Sequence, residues 1–311
     1  MAAIRQYGRF ALALGNCSSK IFPRPMCLIL IGWQSHPDFP LVIAANRDEF
    51  YTRRTRPAAW WGQSVSILAG RDEEAGGTWF GINRRGRVAL LTNVRAPQER
   101  NAARAPSRGL LVLSALQSAG PLASWTKESA RAGQSFNGYN LLVGEPLPVP
   151  ARGIDAQILY TTNRTGPDSE EPRALAPGIY GLSNGLLDTP WPKVTRGVTA
   201  FACQLANRID VDALLAIMAN RETARDAELP HTGVPLDWER ALSAIQIRAK
   251  GYGTRATTIL TVRRDGTVHF FERAFSSDDP EQFVDRQFEF VIDGTGYRAP
   301  ILDSPPRRER G

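Results

Sequence analysis

Two apolar stretches decide the fold: Gly77-Thr-Trp-Phe-Gly-Ile82 and Val88-Ala-Leu-Leu-Thr-Asn93, which lie on either side of a short Gly-containing turn. Apolar runs of this length, joined by such a turn, are typical of a β-hairpin. The pattern returns near the C-terminus, where Asp265-Gly266 separates Thr257–Arg263 from Thr267–Arg273. Asp-Gly is a strong signal for a two-residue hairpin turn. The two hairpins therefore predict antiparallel β-structure in both halves of the chain.

The rest of the chain divides into further strands and a few helices. Helices are predicted at Gly109–Ala119, Val198–Leu205 and Val211–Met218, and the last two carry apolar residues at positions i, i+3, i+4 and i+7. Since these two helices follow one another rather than alternate with strands, an α+β fold with antiparallel sheets is favoured over a doubly wound parallel sheet. Further strands are predicted at Cys27–Trp33, Leu41–Asn46, Tyr139–Gly144, Gln157–Thr162 and Ser243–Ala249.

The net charge of +7 belongs mainly to the two ends of the 311-residue chain. Residues 1–26 contain four basic and no acidic residues, and the last eight residues contain three basic and one acidic residue. The body between them is almost neutral, whereas a nucleic-acid-binding protein is expected to carry its basic surface on the folded body. We therefore predict no nucleic-acid partner.

Membrane and metal-binding classes are disfavoured as well. The sequence has no run that approaches the ~20 apolar residues of a membrane-spanning helix, and the apolar stretch within residues 1–25 is too short for a secretory signal. We therefore expect a cytoplasmic protein without integral membrane association. The three cysteines and three histidines match no metal-ligand spacing, so no metal site is predicted.

Residues 1–26 are interpreted as an extension outside the fold, either disordered or the result of a start assigned too early, and the alternative is a basic, Ser-containing transit peptide. They are basic, and the in-frame Met26 is followed at once by Cys27 and a strand. We expect the native chain to begin at Cys27 after removal of Met26, with residues 27–300 forming one domain. The basic tail, residues 301–311, is predicted to be disordered.

Cys27 acquires a special chemistry if it is the first residue of the chain. The α-amine of an N-terminal cysteine has a pKa of about 7.7–8.0 and can take the proton of its own thiol. One residue then supplies both nucleophile and base, and the reaction needs nearby groups that stabilise an oxyanion and orient the amine. The alternative is a buried cysteine at the start of a strand, which packs as a small apolar residue.

Polar residues that could complete such a site lie at strand ends and in Gly-flanked turns, where a rigid sheet displays functional groups. Each has a structural alternative, because asparagine beside glycine is typical of turns and a mixed Arg–Glu cluster is typical of a surface ion-pair patch. The candidate segments are Asn46–Glu49, Asn93, Asn137–Asn140, Ser183-Asn184 and Gly251–Arg255.

Eight short motifs, taken in order, are more specific than any one of them alone. They are Met26-Cys27, Ala44-Ala-Asn-Arg-Asp-Glu-Phe-Tyr51, Gly76-Gly-Thr-Trp-Phe-Gly-Ile82, Leu91-Thr-Asn93, Asn137-Gly-Tyr-Asn-Leu141, Gly181-Leu-Ser-Asn184, Thr189-Pro-Trp-Pro-Lys193 and Gly251-Tyr-Gly-Thr-Arg255. Together they resemble the NRDE protein family, which is named after its Asn-Arg-Asp-Glu run and includes the transport and Golgi organisation protein 2 of animals. The resemblance covers about residues 26–295, and family members begin Met-Cys.

The resemblance implies an N-terminal-nucleophile hydrolase fold, a four-layer αββα sandwich with two stacked antiparallel sheets. It extends more faintly to the choloylglycine hydrolase and penicillin V acylase group, where an N-terminal Cys is followed by Arg-Asn-x-Asp-Phe. When Asn46–Phe50 is aligned with this motif, Glu49 occupies the position of the motif's aspartate and Asn46 occupies the position of its arginine. Arg47, one position later, would replace that arginine. The implied catalytic residues are Cys27, Arg47, Glu49, Asn93, Asn184 and Arg255, and the implied ligand-binding residues are Asn46, Asp48, Trp79 and Asn140.

The first hypothesis on function is a cysteine amidohydrolase that cleaves an amide or thioester bond of a small molecule. Cys27 would attack the carbonyl group, while Asn93 and Asn184 hold the oxyanion or the amine. Arg47 and Arg255 would place positive charge beside the sulfur. In a chain that starts at Met26, we expect these cations to hold the pKa of the Cys27 thiol below its ordinary value of about 8.5.

The second hypothesis is a binding and trafficking protein that uses the same pocket without turnover. The resemblance implies haem or an acyl-CoA or other lipid as its ligand, because both kinds of handling have been proposed for animal members. Trp60, Trp61 and Trp79 would supply an apolar wall. Neither hypothesis includes a resident cofactor, and haem enters only as a ligand.

Overall fold

The structure is a computed structural model that describes residues 27–62, 65–95, 105–149, 153–164 and 172–293. The predicted extension at residues 1–26 and the predicted tail at residues 301–311 lie outside the described residues, so both stay predictions. The predicted domain boundary at residue 300 lies outside them as well.

The described residues form fourteen strands and five α-helices. The strands are β1 (Cys27–Trp33), β2 (Leu41–Phe50), β3 (Thr55–Trp61), β4 (Ile67–Asp72), β5 (Phe80–Asn83), β6 (Val88–Asn93), β7 (Tyr139–Glu145), β8 (Gln157–Thr162), β9 (Arg173–Ala174), β10 (Gly178–Leu182), β11 (Arg248–Ala249), β12 (Tyr252–Val262), β13 (Thr267–Phe275) and β14 (Phe283–Val291). The helices are α1 (Gly109–Gln117), α2 (Leu122–Ala132), α3 (Pro192–Leu205), α4 (Val211–Met218) and α5 (Leu236–Leu242).

The strands build two sheets, and every pairing between described strands is antiparallel. One sheet has the order β10-β1-β2-β12-β13-β14, with the short β11 paired to β12. The other has the order β3-β4-β5-β6-β7-β8-β9. Strand β1, which begins at Cys27, therefore lies inside the first sheet, between β10 and β2.

Side chains alternate between the two faces of each strand, and this alternation produces four layers. Ile29 and Ile31 of β1 enter the core between the two sheets, whereas Leu28 and Leu30 pack against α3 and α4 on the outer face. Helices α1 and α2 cover the outer face of the second sheet in the same way. The predicted α+β class and the αββα layering are therefore confirmed.

The two hairpins that decide the fold are confirmed as β5–β6 and β12–β13. Gly266 adopts a φ of 88° in the second turn, a left-handed conformation that glycine adopts without steric cost. The predicted helices correspond to α1, α3 and α4.

The predicted strand at Ser243–Ala249 is wrong over most of its length. Only Arg248–Ala249 pairs, and the preceding residues form turns after α5. Their backbone groups are satisfied by other partners: the carbonyl of Ile245 accepts from the Asn46 side chain, and the Gln246 N–H donates to the Asn220 carbonyl. Because these bonds replace a strand ladder, the apolar pattern alone was misleading.

Two strand registers bring the predicted site residues together. Cys27 pairs directly with Arg47 across β1 and β2, so both side chains point towards the second sheet. Ile29 pairs with Leu182 at the end of β10. The chain that leaves β10 at Ser183-Asn184 therefore passes the start of β1.

Candidate functional site

A cleft of about 270 Å³ opens between the sheets beside the start of β1. It includes Cys27 in its wall, together with residues from β2, from the strands of the second sheet and from the segment that leads into α1. The predicted residues that line it are Cys27, Arg47, Asp48, Glu49, Trp79, Asn93 and, from the candidate segment Asn137–Asn140, Asn137. Residues that line it without having been predicted include Arg53, Asp72, Thr78 and Arg108.

Asn184 holds the backbone of Cys27 at one end of this cleft. Its Oδ1 accepts a hydrogen bond from the Cys27 N–H at 3.2 Å, and its Nδ2 donates to the Asn93 carbonyl at 2.7 Å. The Ser183 hydroxyl donates to the Cys27 carbonyl at 2.8 Å. The position of the nitrogen of Cys27 is thus set by side chains rather than by the strand ladder alone.

The Cys27 thiol is buried, and this burial decides its protonation. Desolvation, with a further contribution from the nearby Asp48 carboxylate, raises the pKa of the thiol to about 12. A hydrogen bond from the Asp48 backbone N–H and the charges of Arg47 and Lys193 act in the opposite direction. In this structure, where the nitrogen of Cys27 is a peptide amide, the thiol pKa therefore lies above its ordinary value. The lowered pKa expected for a chain that starts at Met26 stays a prediction.

Arg47 and Glu49 belong to an ion-pair network on the inner face of β2. The Arg47 guanidinium lies over the Trp79 ring at 4.4 Å from its centroid and donates to the Thr55 hydroxyl at 3.2 Å. It lies 3.7 Å from Glu49 and 3.8 Å from Asp72. Burial raises the pKa of Glu49, and the Arg47 charge opposes that rise. These residues form a charged wall of the cleft.

Asp48 points to the other face of β2, towards the helices. Its Oδ1 accepts a hydrogen bond from the Thr254 hydroxyl at 2.6 Å, and its Oδ2 has no hydrogen-bond partner among the described residues. Burial raises the pKa of Asp48 to about 6. The carboxylate that acts on the Cys27 thiol is therefore Asp48, whereas the resemblance assigned the acidic place to Glu49.

Arg255 is displaced from the cleft by a β-bulge. The register between β12 and β2 shifts between Thr254 and Ala256, so Arg255 is the extra residue of the bulge, and a bulge redirects the side chain it carries. Its Nη1 donates to the carbonyls of Phe50, Tyr51 and Arg53. Arg255 thus fixes the loop after β2 and does not line the Cys27 cleft, which departs from its predicted place beside the sulfur.

Two predicted ligand-binding residues form structural hydrogen bonds instead. Asn46 donates to the carbonyls of Met218 and Ile245, each at 2.9 Å, and accepts from Thr257 at 2.6 Å. Asn140 donates to Thr92 and to the Gly185 carbonyl and accepts from the Tyr160 hydroxyl. Both side chains are buried and neither lines the cleft.

Of the three tryptophans that were expected to form an apolar wall, Trp79 alone lines the cleft. The Trp60 ring packs against Phe290 and lies beneath the Arg84 guanidinium. Trp61 donates its Nε1–H to the Ala69 carbonyl and packs with the core on the outer side of the second sheet. Neither is among the residues that line the cleft.

Lys193 is the charged neighbour that sequence reasoning missed. It lies in the first turn of α3, its side chain is 1% exposed, and it is one of the cations that act on the Cys27 thiol. The motif Thr189–Lys193 was recognised, but no role followed from it because its distance from Cys27 in the sequence exceeds 160 positions. A lysine directly after Pro at a helix start was the available signal.

The described residues also bear on metal binding and on membrane crossing. In the described parts of the chain, no group of three or more His, Cys, Asp or Glu side chains could hold a metal ion. No helix among the described residues is long and apolar enough to cross a membrane.

The sequence profile of the family described as Transport and Golgi organisation 2 matches residues 26–277. The human Transport and Golgi organization protein 2 homolog is 36% identical over 283 residues, which cover 86% of this chain and 99% of the human protein. The chain therefore belongs to the Transport and Golgi organisation 2 family.

Two solved structures resemble this one at 9% sequence identity. A Caenorhabditis elegans N-acylethanolamine-hydrolyzing acid amidase ortholog aligns with a TM-score of 0.39 and covers 75% of this chain and 92% of its own. A mutant of conjugated bile acid hydrolase from Clostridium perfringens aligns with a TM-score of 0.41 and covers 92% and 97%.

Proposed function

We propose that the protein is an N-terminal cysteine hydrolase that cleaves an amide or thioester bond of a small molecule in the cytoplasm. The observation that carries the proposal is the position of Cys27, whose nitrogen is bound by Asn184 at 3.2 Å while its side chain lines the cleft. If the α-amine of Cys27 is free, the thiol as nucleophile and the amine as base lie side by side at the cleft. The family profile begins at residue 26, which supports a chain whose second residue is Cys27.

The reaction follows from the two functional groups of Cys27. The α-amine takes the thiol proton as the sulfur attacks the carbonyl carbon, and the carbonyl oxygen becomes an oxyanion. When the C–N or C–S bond breaks, the α-ammonium gives its proton to the departing amine or thiolate, which leaves a thioester on Cys27. Water then attacks this thioester, the amine takes the water proton and returns it to the sulfur, and a carboxylic acid is released.

The raised thiol pKa is compatible with this sequence of steps. The starting pair is a neutral thiol beside a neutral amine, so the proton moves only as the sulfur attacks. A free α-amine also changes the electrostatics, because an ammonium beside the sulfur favours the thiolate. Asn184 Oδ1 would accept a hydrogen bond from the amine, and the Asp48 N–H would donate to the sulfur.

The test compares chains that begin at Met26. Each is incubated with chromogenic N-acyl 4-nitroanilides and with acyl thioesters of varied chain length, and the mass of its N-terminal peptide is measured. We expect Met26 to be absent from the parent, at least one substrate to be hydrolysed, and turnover to be lost in Cys27→Ala. The matched control carries one alanine inserted between Met26 and Cys27, which retains the thiol but moves the amine. Equal turnover by this control would contradict the proposal.

A second candidate function is binding without turnover, and the raised pKa of the Cys27 thiol favours it. The cleft volume of about 270 Å³ lies below the ~300–1,000 Å³ typical of small-molecule pockets. It would enclose only part of a haem or an acyl-CoA, so binding of either stays a prediction. Titration of the parent and of Cys27→Ala with haem and with an acyl-CoA tests it. Saturable binding by both proteins, with no hydrolysis by the parent, would favour this function.

A further inference from the structure

The buried ammonium of Lys193 requires a physical reason. Its Nζ has no hydrogen-bond partner among the described residues, and burial lowers the pKa of Lys193 to about 8. An unpaired ammonium in a protein interior is costly unless an opposite charge compensates for it. The opposing charges that favour its protonated form are those of Asp48 and Cys27.

The packing of α3 places Lys193 over the start of β1. A Cβ at Gly197 would meet Leu30 at 3.0 Å and Leu28 at 3.6 Å, whereas a Cβ at Gly32 would meet Leu205 at 2.5 Å. Helix α3 therefore runs in the same direction as β1. Lys193 precedes Gly197 by four residues, about one helical turn, so it lies beyond Leu28 towards Cys27.

The strand register places Asp48 at the same point from the other side. Since Leu28 pairs with Asn46 and Cys27 with Arg47, Asp48 lies one position beyond the partner of Cys27, next to the nitrogen end of β1. In a chain that begins at Cys27, the α-amine is the first group of β1 and would lie beside Asp48. Asp48 Oδ1 is used by the Thr254 hydroxyl, which leaves Oδ2 as the buried, unpartnered acceptor in the described residues.

We propose that Lys193 is a positioning residue for the N-terminal nucleophile: its buried ammonium holds the Asp48 carboxylate ionised beside the α-amine of Cys27. The inference rests on the proposed function, because it needs a free amine at Cys27. Lys193 does not touch the substrate. It acts through Asp48 and through its own charge, which makes protonation of the neighbouring amine less favourable and so keeps the amine able to accept the thiol proton.

Other charged groups act on this pair from the elements around it. Arg95 lowers the pKa of Lys193, but its own guanidinium lies 3.3 Å from Glu239. Arg47 and Arg248 lower the pKa of Asp48, yet less than Lys193 does. Lys193 is therefore the cation whose removal should raise the pKa of Asp48 most.

The first test is the pH profile of Cys27 alkylation by iodoacetamide in a chain that begins at Met26. Peptide mass spectrometry separates Cys27 from Cys203, the only other cysteine of that chain, which is exposed and serves as the internal reference. We expect Lys193→Met to move the Cys27 midpoint upwards by about one pH unit and Lys193→Arg to restore most of it. Lys127→Met, the same change at an exposed helical lysine, should leave the midpoint unchanged.

The second test does not depend on a Lys193 variant that folds. A chain that begins at Met26 contains only three lysines, Lys127, Lys193 and Lys250, so ¹³C-labelled lysine gives three ε-carbon signals in an NMR titration. Asp48→Asn should lower the titration midpoint of Lys193 relative to the other two. An unchanged midpoint would contradict the charge coupling on which the inference depends.

Different results in the same samples would overturn the proposed hydrolase function and the proposed role of Lys193. The mass of the N-terminal peptide shows whether the Cys27 amine is free. A blocked amine overturns the proposed function and this inference with it. A free amine, with the same Cys27 midpoint in the parent and in a folded Lys193→Met protein, overturns this inference alone.

Discussion

The two faces of the Asn46–Glu49 segment serve different purposes. On the face towards the helices, Asn46 is bound to two carbonyls and a hydroxyl, and Asp48 lies with Lys193 at the start of β1. On the inner face, Arg47 and Glu49 form a charged wall of the cleft. Successive residues of a strand point to opposite faces, so a run of four polar residues divides into two pairs.

The difference shows that a motif is not one functional unit. Asn46 couples the sheet to α4 and to the turn after α5, so its removal should damage the fold. Arg47 and Glu49 contact each other and the cleft, so their removal should change the site more than the fold. Asp48 is intermediate, because it is buried among structural residues and yet acts on the Cys27 sulfur.

The largest expected effect comes from Asn46→Ala. The change leaves two buried carbonyls and a buried hydroxyl without their partner, and each such group costs about 1–3 kcal/mol. We expect the free energy of unfolding to fall by about 4 kcal/mol, measured by urea denaturation. The control is Asn207→Ala, which removes a single hydrogen bond from an exposed asparagine to the Cys203 carbonyl. Equal losses in the two variants would contradict the structural role of Asn46.

The next effect depends on pH and concerns Glu272 of β13. Burial raises the pKa of Glu272 from 4.5 to about 7 in the folded protein. Since the unfolded chain ionises first, this group stabilises the fold most below pH 4.5, and its contribution is lost as the pH rises to 7. Glu272→Gln retains an acceptor for the Ala58 N–H and removes the titration. From pH 4 to pH 8 the stability of the variant should therefore rise relative to the parent, by on the order of 3 kcal/mol.

Urea denaturation of both proteins at pH 4, 6 and 8 gives the comparison. A constant difference across these three pH values would show that Glu272 does not titrate in this range. Such a result would place its carboxylate in a more polar environment than the inner face of this sheet provides.

The smallest expected effect is that of Arg47→Met. The variant retains an apolar stem over Trp79 but loses the guanidinium, and Glu49 keeps a second cation in Arg53 at 3.6 Å. We expect a loss of about 2 kcal/mol, since the pair is buried but only partly broken. The pKa of Glu49 should rise further, because Arg47 is the main group that lowers it.

A matched control for Arg47→Met is Arg56→Met, whose pair with Glu73 lies at the surface with the arginine 70% exposed. Exposed ion pairs contribute about 0–1 kcal/mol, so the control should lose less. A greater loss in the control than in Arg47→Met would remove the distinction between a buried wall and a surface pair.

Much of the fold could be predicted because local patterns and tertiary packing agree. The Asp265-Gly266 turn and the apolar runs beside it became β12 and β13, and the spacing within Val211–Met218 became α4. The prediction of a strand at Ser243–Ala249 was wrong over most of its length because the apolar spacing fits a strand, whereas Ile245 and Gln246 form hydrogen bonds with residues far away in the sequence.

The candidate site could be predicted only in part, for two physical reasons. The pairing of Cys27 with Arg47 depends on the turn between β1 and β2. In this turn Gln34 adopts a φ of 47°, a left-handed conformation that is uncommon for that residue. The bulge at Arg255 and the packing of Lys193 are likewise tertiary features. Residue type therefore indicated which groups matter, but the face of each strand decided their roles.

In the proposed function, Cys27 acts as a nucleophile together with its own α-amine. Its most direct test incubates chains that begin at Met26 with p-nitrophenyl acetate, stops the reaction in acid so that the acetyl group stays on sulfur, and locates that group by mass spectrometry. We expect a thioester on Cys27 of the parent, none on Cys203, and none on Cys27 when one alanine precedes it. Acetylation of Cys27 to the same extent with and without the inserted alanine, or no acetylation of the parent, would contradict it.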